Sequence, residues 1–118
     1  MRYTLTNISK GNPNFLNGVP ELLVLELLSR RERYGYELVR AIQEKSKEAF
    51  AFGEGCIYPY LHYLEETKSV ASHRKTVEGR SRLYYRLTPV GEKRLAELTK
   101  EWKRVAEGVD LILGGAHA

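Results

Sequence analysis

The chain has 118 residues, 42% of them hydrophobic and 29% charged, which fits one folded domain and excludes a largely disordered chain. The formal net charge is only +4, but residues 68–94 contain eight basic and two acidic residues, a local charge of +6. Such a segment on a near-neutral body is typical of a protein that binds a polyanion such as a nucleic acid, although a solvated charged hairpin would give the same count.

An arm and three helices are predicted in the N-terminal half. Residues 1–18 mix polar side chains with glycine and proline, which predicts an N-terminal arm. A first helix begins at Pro20 and is apolar around most of its circumference, so we expect the helix to be buried. This helix ends in the charged cluster 29–33. A second, amphipathic helix begins after Gly35. The third follows the glycine-rich turn 53–55, and its core stripe is Ile57, Leu61 and Leu64.

The third helix has a second face that can meet DNA. On a helical wheel, Tyr60 lies with the core stripe. The opposite side carries Pro59, His62, Tyr63 and Glu66, and Tyr58 lies on its flank. Tyrosine and histidine side chains can contact base edges in the major groove, so we expect His62 and Tyr63 to face DNA and Tyr63 to influence sequence preference. The alternative is that these aromatic residues pack under the hairpin, as we expect for Tyr60.

A β-hairpin is predicted next. Residues 70–77 and 82–88 are rich in Val, Tyr, Leu and Thr, and Gly79 lies in the connecting turn. Arginines on a protruding hairpin can reach phosphates or enter the minor groove, whereas the alternative is a mobile charged loop that only keeps the protein soluble. The cations near the turn are Arg74, Lys75, Arg80 and Arg82.

A long helix closes the chain. Thr88 as N-cap and Pro89 as first helical residue predict its start. The capping box is incomplete, because Gly91 stands where a glutamate would complete it. We expect the helix to end near Leu113. Apolar residues of this helix recur at alternating spacings of three and four, which is typical of paired helices and predicts a homodimer. Such a dimer would present two recognition helices to a palindromic site. The alternative is that the stripe closes the domain's own core. The stripe is Leu95, Leu98, Trp102, Val105, Val109 and Ile112.

No arrangement for catalysis or metal binding emerges from the sequence. Cys56 and His62 point in different directions on a helix, and no acid completes a nucleophile and base. The three histidines lack metal-ligand spacing, and no glycine-rich phosphate loop is present. We therefore predict no enzyme, no cofactor and no metal, and we interpret Cys56 as a small packed residue rather than a redox sensor.

The sequence contains no signal-peptide pattern. It also has no apolar run near the roughly 20 residues of a membrane helix. These features predict a cytoplasmic protein that has no membrane partner.

Three segments resemble signatures of the PadR-like family of transcriptional regulators. Residues 34–38 resemble the "HGYEL" start of the family's second helix, and residues 55–65 resemble its recognition-helix signature, "GTLYPxLxxLE". Residues 78–82 and 84–88 resemble its wing, "EGRxRKYYxLT". The three motifs occur in the family's order, which makes the resemblance specific.

The resemblance implies a winged helix-turn-helix domain at 19–88, a dimerisation helix at 89–113 and a tail at 114–118. It also implies regulation of transcription, usually repression, and a response to small aromatic ligands in many members. An aromatic residue of the last helix lines a ligand pore between subunits in some relatives, which makes Trp102 a candidate ligand contact. By position, the DNA-binding residues would be Tyr36, Tyr58, Pro59, His62, Tyr63, Lys75, Arg80 and Arg82.

Several residues depart from the family pattern. Tyr34 stands where histidine is usual and Cys56 where threonine is, and the positions of His62 and Tyr63 commonly hold basic residues. Losing those cations shifts the electrostatic attraction for phosphates from the recognition helix to the wing. The operator sequence therefore does not transfer from relatives.

Two hypotheses of different classes follow. In the first, a dimeric regulator inserts its third helices into successive major grooves, and replacing Arg80 and Arg82 by alanine weakens binding broadly and flattens its salt dependence. In the second, the winged helix is a protein-interaction or ligand-sensing module that no longer binds DNA. The missing bases on the third helix favour the second hypothesis, and the +6 segment favours the first.

Overall fold

The computed structural model of the chain describes residues 18–114. The tail beyond Gly114, and the predicted arm up to residue 17, lie outside the described residues. The order of elements matches the predicted mainly helical fold with a small hairpin. In chain order the elements are α1 Val19–Arg30, β1 Arg33–Tyr34, α2 Gly35–Lys45, α3 Glu54–Glu66, β2 Val70–Val77, β3 Arg80–Leu87 and α4 Pro89–Ile112.

The sheet has a third strand that the sequence did not predict. It is antiparallel in the order β1-β3-β2, and the short β1 pairs Arg33 with Tyr85 and Tyr34 with Tyr84. Residue 33 was assigned to a charged helix end, but the Arg33 side chain is buried and its Nε donates to the Leu27 carbonyl at 3.4 Å. The interpretation of this position was wrong because its environment depends on a strand 50 residues farther along the chain.

The hairpin turns tightly at the predicted glycine. Val77 pairs with Arg80, so the connection has only two residues, and both have positive φ: Glu78 at 52° and Gly79 at 79°. Two positive φ values in a two-residue connection define the type I′ turn, whose twist matches that of antiparallel strands. The strand therefore begins at Arg80, earlier than the predicted residue 82, and Arg80 lies at the tip.

One apolar core joins the three short helices to one face of the sheet. The predicted stripe of α3 is buried, and Tyr60 is buried with it, as expected. Leu83, Tyr85 and Leu87 line the core side of β3, because alternate residues of a strand point to the same face. The large side chains with the least exposure are Pro20, Val24, Leu25, Leu38, Ile57, Leu61, Leu64 and Val70.

The base of α4 is fixed against the turn between α3 and β2. The Thr88 hydroxyl lies 2.6 Å from the Lys68 carbonyl oxygen and accepts a hydrogen bond from the Gly91 amide at 3.1 Å. The Thr88 amide donates to the Ser69 carbonyl at 3.1 Å. Gly91 is buried and touches this turn so closely that a Cβ atom built on it would lie 2.1 Å from the Ser69 carbonyl oxygen. Only glycine allows this approach of helix and turn.

A partly buried ion pair joins α1 to α4. Both oxygens of Glu21 accept hydrogen bonds from Arg94, Nε at 2.9 Å and Nη2 at 3.2 Å, and the Glu21 side chain is almost completely buried. The hydrogen bonds to Glu21 raise the pKa of Arg94. The pair therefore links α1 to α4.

None of the helices between residues 18 and 114 combines the length and the apolar character that crossing a bilayer requires.

Candidate nucleic-acid interface

The outer face of α3 is exposed, aromatic and acidic. Pro59, His62 and Glu66 are exposed, and Tyr58 and Tyr63 are partly exposed beside them. The helix contains three carboxylates and neither lysine nor arginine. One carboxylate, Glu65, accepts a 2.6 Å hydrogen bond from the Ser72 hydroxyl and so ties α3 to β2. This helix offers shape and hydrogen bonds to a base edge, but its charge repels phosphates.

The first turns of α2 and α3 lie against each other through a tyrosine and a glycine. A Cβ atom built on Gly35 would lie 2.7 Å from Cε1 of Tyr58 and 2.9 Å from its hydroxyl oxygen. Burial and the carboxylate of Glu54 raise the pKa of Tyr58. Tyr36 is exposed at the same turn, with the Arg40 guanidinium 6.0 Å from its ring centroid. Tyr36 and Tyr58 therefore share one end of the helix-turn-helix.

We expect Gly35→Ala to displace the Tyr58 ring and to destabilise the domain by about 1–2 kcal/mol, since an added methyl group in a packed site forces its neighbour to move. The ring is partly exposed and can swing aside, which limits the cost. Denaturant unfolding measures the effect. In a Tyr58→Ala background the same glycine change should cost little, because contacting residues are non-additive. Equal costs in both backgrounds would show that the close approach has no energetic consequence.

The cations of the hairpin fall into two groups: those without a partner in the described part of the chain, and those that contact an aromatic ring or a carboxylate. Arg74 and Arg80 are exposed and form no ion pair with any of the residues 18–114. Arg82 stacks on Tyr34, with its guanidinium carbon 4.3 Å from the ring centroid. Lys75 instead binds the Glu32 carboxylate, and its Nζ also lies 4.7 Å from the Tyr84 ring centroid.

The +6 count of the basic segment therefore overstates the free positive charge. Lys75 and Arg94 are both paired with carboxylates from outside the segment, Glu32 and Glu21. These partners lie 43 and 73 residues away along the chain, so no local sequence signal identifies them. The cations of the segment that form no ion pair within residues 18–114 are spread along it, and of these Arg80 lies at the tip of the hairpin.

Tyr63 lies on the flank of α3 that meets α4, whereas Pro59 and His62 lie on the outer face. It lines a shallow cavity of about 380 Å³ together with Val90, Lys93 and Arg94. The sequence grouped Tyr63 with His62 because both face away from the core stripe. In the folded chain, His62 is on the freely exposed face and Tyr63 is beside the base of α4.

The structure divides the stripe of α4 into two parts. Leu95 and Leu98 are partly buried and pack against the core of their own domain. The side chains beyond them do not: Trp102, Val105, Val109 and Ile112 are 48%, 40%, 50% and 86% exposed. Leu111 and Leu113 add further exposed apolar surface. The alternative of a core-closing stripe thus applies to the first two residues, and the remaining four form an unpartnered apolar face in the single chain.

Nothing in the described part of the chain resembles a catalytic or metal site. No group of three or more His, Cys, Asp or Glu side chains between residues 18 and 114 is arranged to hold a metal ion. Cys56 is half-buried against the core, and burial raises the pKa of its thiol to about 11. A thiol with so little thiolate is unreactive at neutral pH, in agreement with a packing role.

The comparisons with known proteins agree with these features. The sequence model described as "Transcriptional regulator PadR-like family" matches residues 24–97, from α1 to the first turns of α4. The chain belongs to the PadR-like family. It is therefore a transcriptional regulator with a winged-helix fold and not an enzyme, as the sequence motifs predicted.

Individual proteins also match over most of the chain. An uncharacterised protein of Lysinibacillus sphaericus is 32% identical over 86% of this chain and 94% of its own length. "Transcriptional regulator Rv3488" of Mycobacterium tuberculosis is 37% identical over 62% of this chain and 65% of its own length. The crystal structure of a PadR-like transcriptional regulator from Bacillus cereus superposes with a TM-score of 0.76 at 31% identity, covering 86% of this chain and 97% of that one.

Proposed function

We propose that this PadR-like regulator is a sequence-specific DNA-binding repressor that acts as a homodimer in the cytoplasm. The observation that carries the proposal is the pairing of an exposed, partly aromatic α3 face with free arginines on the wing. Base edges would be contacted by α3 and by the first turn of α2, and phosphates by the wing. The proposed contacts are Tyr36, Tyr58, Pro59, His62, Tyr63, Lys75, Arg80 and Arg82.

The homodimer would form through the exposed half of the α4 stripe. Trp102, Val105, Val109 and Ile112 present a contiguous apolar face spaced as in paired helices. Two-fold symmetry would give each dimer two α3 helices and two wings, which suits a palindromic operator whose half-sites lie about 34 Å apart. A small aromatic ligand that releases the DNA would bind at the same seam, beside Trp102, where a planar ring can stack on the indole.

The wing carries most of the electrostatic attraction, because α3 has no cation. We expect Arg74→Ala with Arg80→Ala to weaken binding to every duplex and to reduce the slope of log K against log salt by about 2, roughly one for each lost phosphate contact. Arg74 is exposed on the same hairpin, and we propose it as a further phosphate contact. It is tested in place of Arg82 because Arg82 also stacks on Tyr34. Fluorescence anisotropy with labelled duplexes at several salt concentrations measures the slope.

The matched control is Lys100→Ala with Lys103→Ala. These two lysines are exposed on α4, opposite the apolar stripe, and their removal changes the net charge by the same amount. An equal loss of slope in both variants would mean that net charge alone, and no contact of the wing, governs binding. If the wild-type protein shows no salt-dependent affinity for any duplex, and selection from a random pool recovers no sequence, DNA binding is refuted.

A second function is favoured by one observation, the three carboxylates and absent cations of α3. A winged helix with an acidic outer face is suited to a protein partner or to ligand sensing without DNA. Capture of a single protein partner, together with no enriched DNA in the selection, would decide for this alternative.

A further inference from the structure

A carboxylate from outside the hairpin lies on the outer face of the wing, between two of its basic side chains. Glu32 follows α1 and precedes β1. One of its oxygens binds Lys75 Nζ and the other lies 3.3 Å from His73 Nε2. Because β1 and β2 are separated by β3, Glu32 reaches across the central strand to meet both residues.

The surroundings form an anion site. His73 and Lys75 alternate with core-facing residues on β2 and so share the outer face, where Arg82 and Arg86 lie on the neighbouring strand. The buried ring of Tyr84 forms the floor, 4.7 Å from Lys75 Nζ and 6.3 Å, centroid to centroid, from the His73 ring. The hydrogen bond from Lys75 lowers the pKa of Glu32, and the charges of His73 and Arg86 act in the same direction. The side chains of Glu32, His73 and Lys75 remain partly exposed, so another anion can approach.

Glu32 occupies this site in the manner of a phosphate group, with one oxygen accepting a hydrogen bond from Lys75 Nζ and the other 3.3 Å from His73 Nε2. A DNA phosphate bound by Lys75 would lie a few ångströms from the carboxylate, and two anions at that distance repel each other. The lysine is therefore unavailable to DNA while Glu32 stays in place.

We propose that Glu32 is an internal competitor for a phosphate-binding site formed by Lys75 and His73 on the outer face of the wing. The DNA phosphate must displace the carboxylate, which lowers the affinity of the regulator for all duplexes. This inference rests on the proposed DNA binding. It assigns to Glu32 a role opposite to that of the wing arginines.

Glu32→Gln tests the competition directly, since the amide keeps the shape of the side chain and removes its charge. We expect binding to a random-sequence duplex to strengthen about fivefold at low salt, the scale of one exposed charge pair. Lys75→Ala should weaken binding less in the wild-type protein than in the Glu32→Gln background, where it should abolish the gain. This non-additivity is the signature of a lysine that is masked by its neighbour.

The matched control is Glu26→Gln, which removes a partly exposed carboxylate of α1 that is paired with Arg30. It changes the net charge by the same amount, so its expected effect is less than about twofold. Equal gains in the two variants, or weaker binding by Glu32→Gln, would overturn the proposal.

A measurement without DNA separates this inference from the proposed function. Titration of inorganic phosphate, followed by the NMR signals of the His73 ring, should perturb the ring in Glu32→Gln and leave it unchanged in the wild-type protein. If no protein binds any duplex, the proposed function fails, and the phosphate titration still decides about the anion site. Equal perturbation of both proteins, or of neither, refutes the competition.

Discussion

A chain carrying Val105→Glu and Val109→Glu is expected to be monomeric, with a mass near 13.6 kDa in sedimentation, and to lose at least about 100-fold in affinity for its operator. Both valines are exposed in the single chain and lie in the middle of the apolar face of α4. Carboxylates there would be desolvated and mutually repulsive in a paired helix, but would remain in water on a monomer. Analytical ultracentrifugation gives the mass, and anisotropy titration gives the affinity.

The paired change Lys100→Ala with Lys103→Ala is again the control, since it also lowers the net charge by two on the opposite face of α4. It should leave the mass at twice the monomer value. Because Val105 and Val109 contribute nothing to the core of their own domain, the helical content of the glutamate variant should be unchanged by circular dichroism. A glutamate variant that still sediments as a dimer would place the subunit interface elsewhere.

The second large effect is expected from Gly91→Ala, which should destabilise the protein by about 3 kcal/mol. The new Cβ atom would lie 2.1 Å from the Ser69 carbonyl oxygen and 2.6 Å from Cδ1 of Leu87. The first of these is a backbone atom, so the clash is relieved only by moving α4 away from the turn. That movement also lengthens the hydrogen bonds of the Thr88 hydroxyl.

Gly55→Ala makes the same chemical change where nothing lies within 4 Å of the added methyl group. In an exposed helix, alanine is favoured over glycine by up to about 1 kcal/mol, so this variant should be as stable as the wild type or more stable. Guanidinium unfolding at equal protomer concentration compares the three proteins, because the stability of an oligomer depends on concentration. Equal midpoints for the two alanine variants would show that the contact at Gly91 is not tight in solution.

Features encoded by neighbouring residues could be predicted from the sequence. The turn at Gly79 and the helix start at Thr88 depend on backbone preferences within a few residues. The buried stripe of α3 followed from helical periodicity. The missed strand β1 has only two residues, too few for a pattern, and exists because β3 provides a partner edge.

The candidate interface was harder to predict, because charge and periodicity do not identify partners. Lys75 and Arg94 count as cations in the sequence, and only the fold brings Glu32 and Glu21 to them. The stripe of α4 is regular from its first to its last member, yet Leu95 packs on the core while Val109 is exposed. Periodicity shows that a face is apolar and does not show which surface covers it.

The unbroken course of α4 has a mechanical consequence. From Pro89, beside its fixed base, to Trp102 the helix rises about 20 Å without a kink-forming residue. If two subunits are joined beyond Trp102, a change of about 10° in their crossing angle displaces the two winged helices relative to each other by about 3.4 Å, close to the rise of one base pair. The helix would act as a rigid lever, through which a small adjustment at the seam could shift both winged helices out of register with successive grooves.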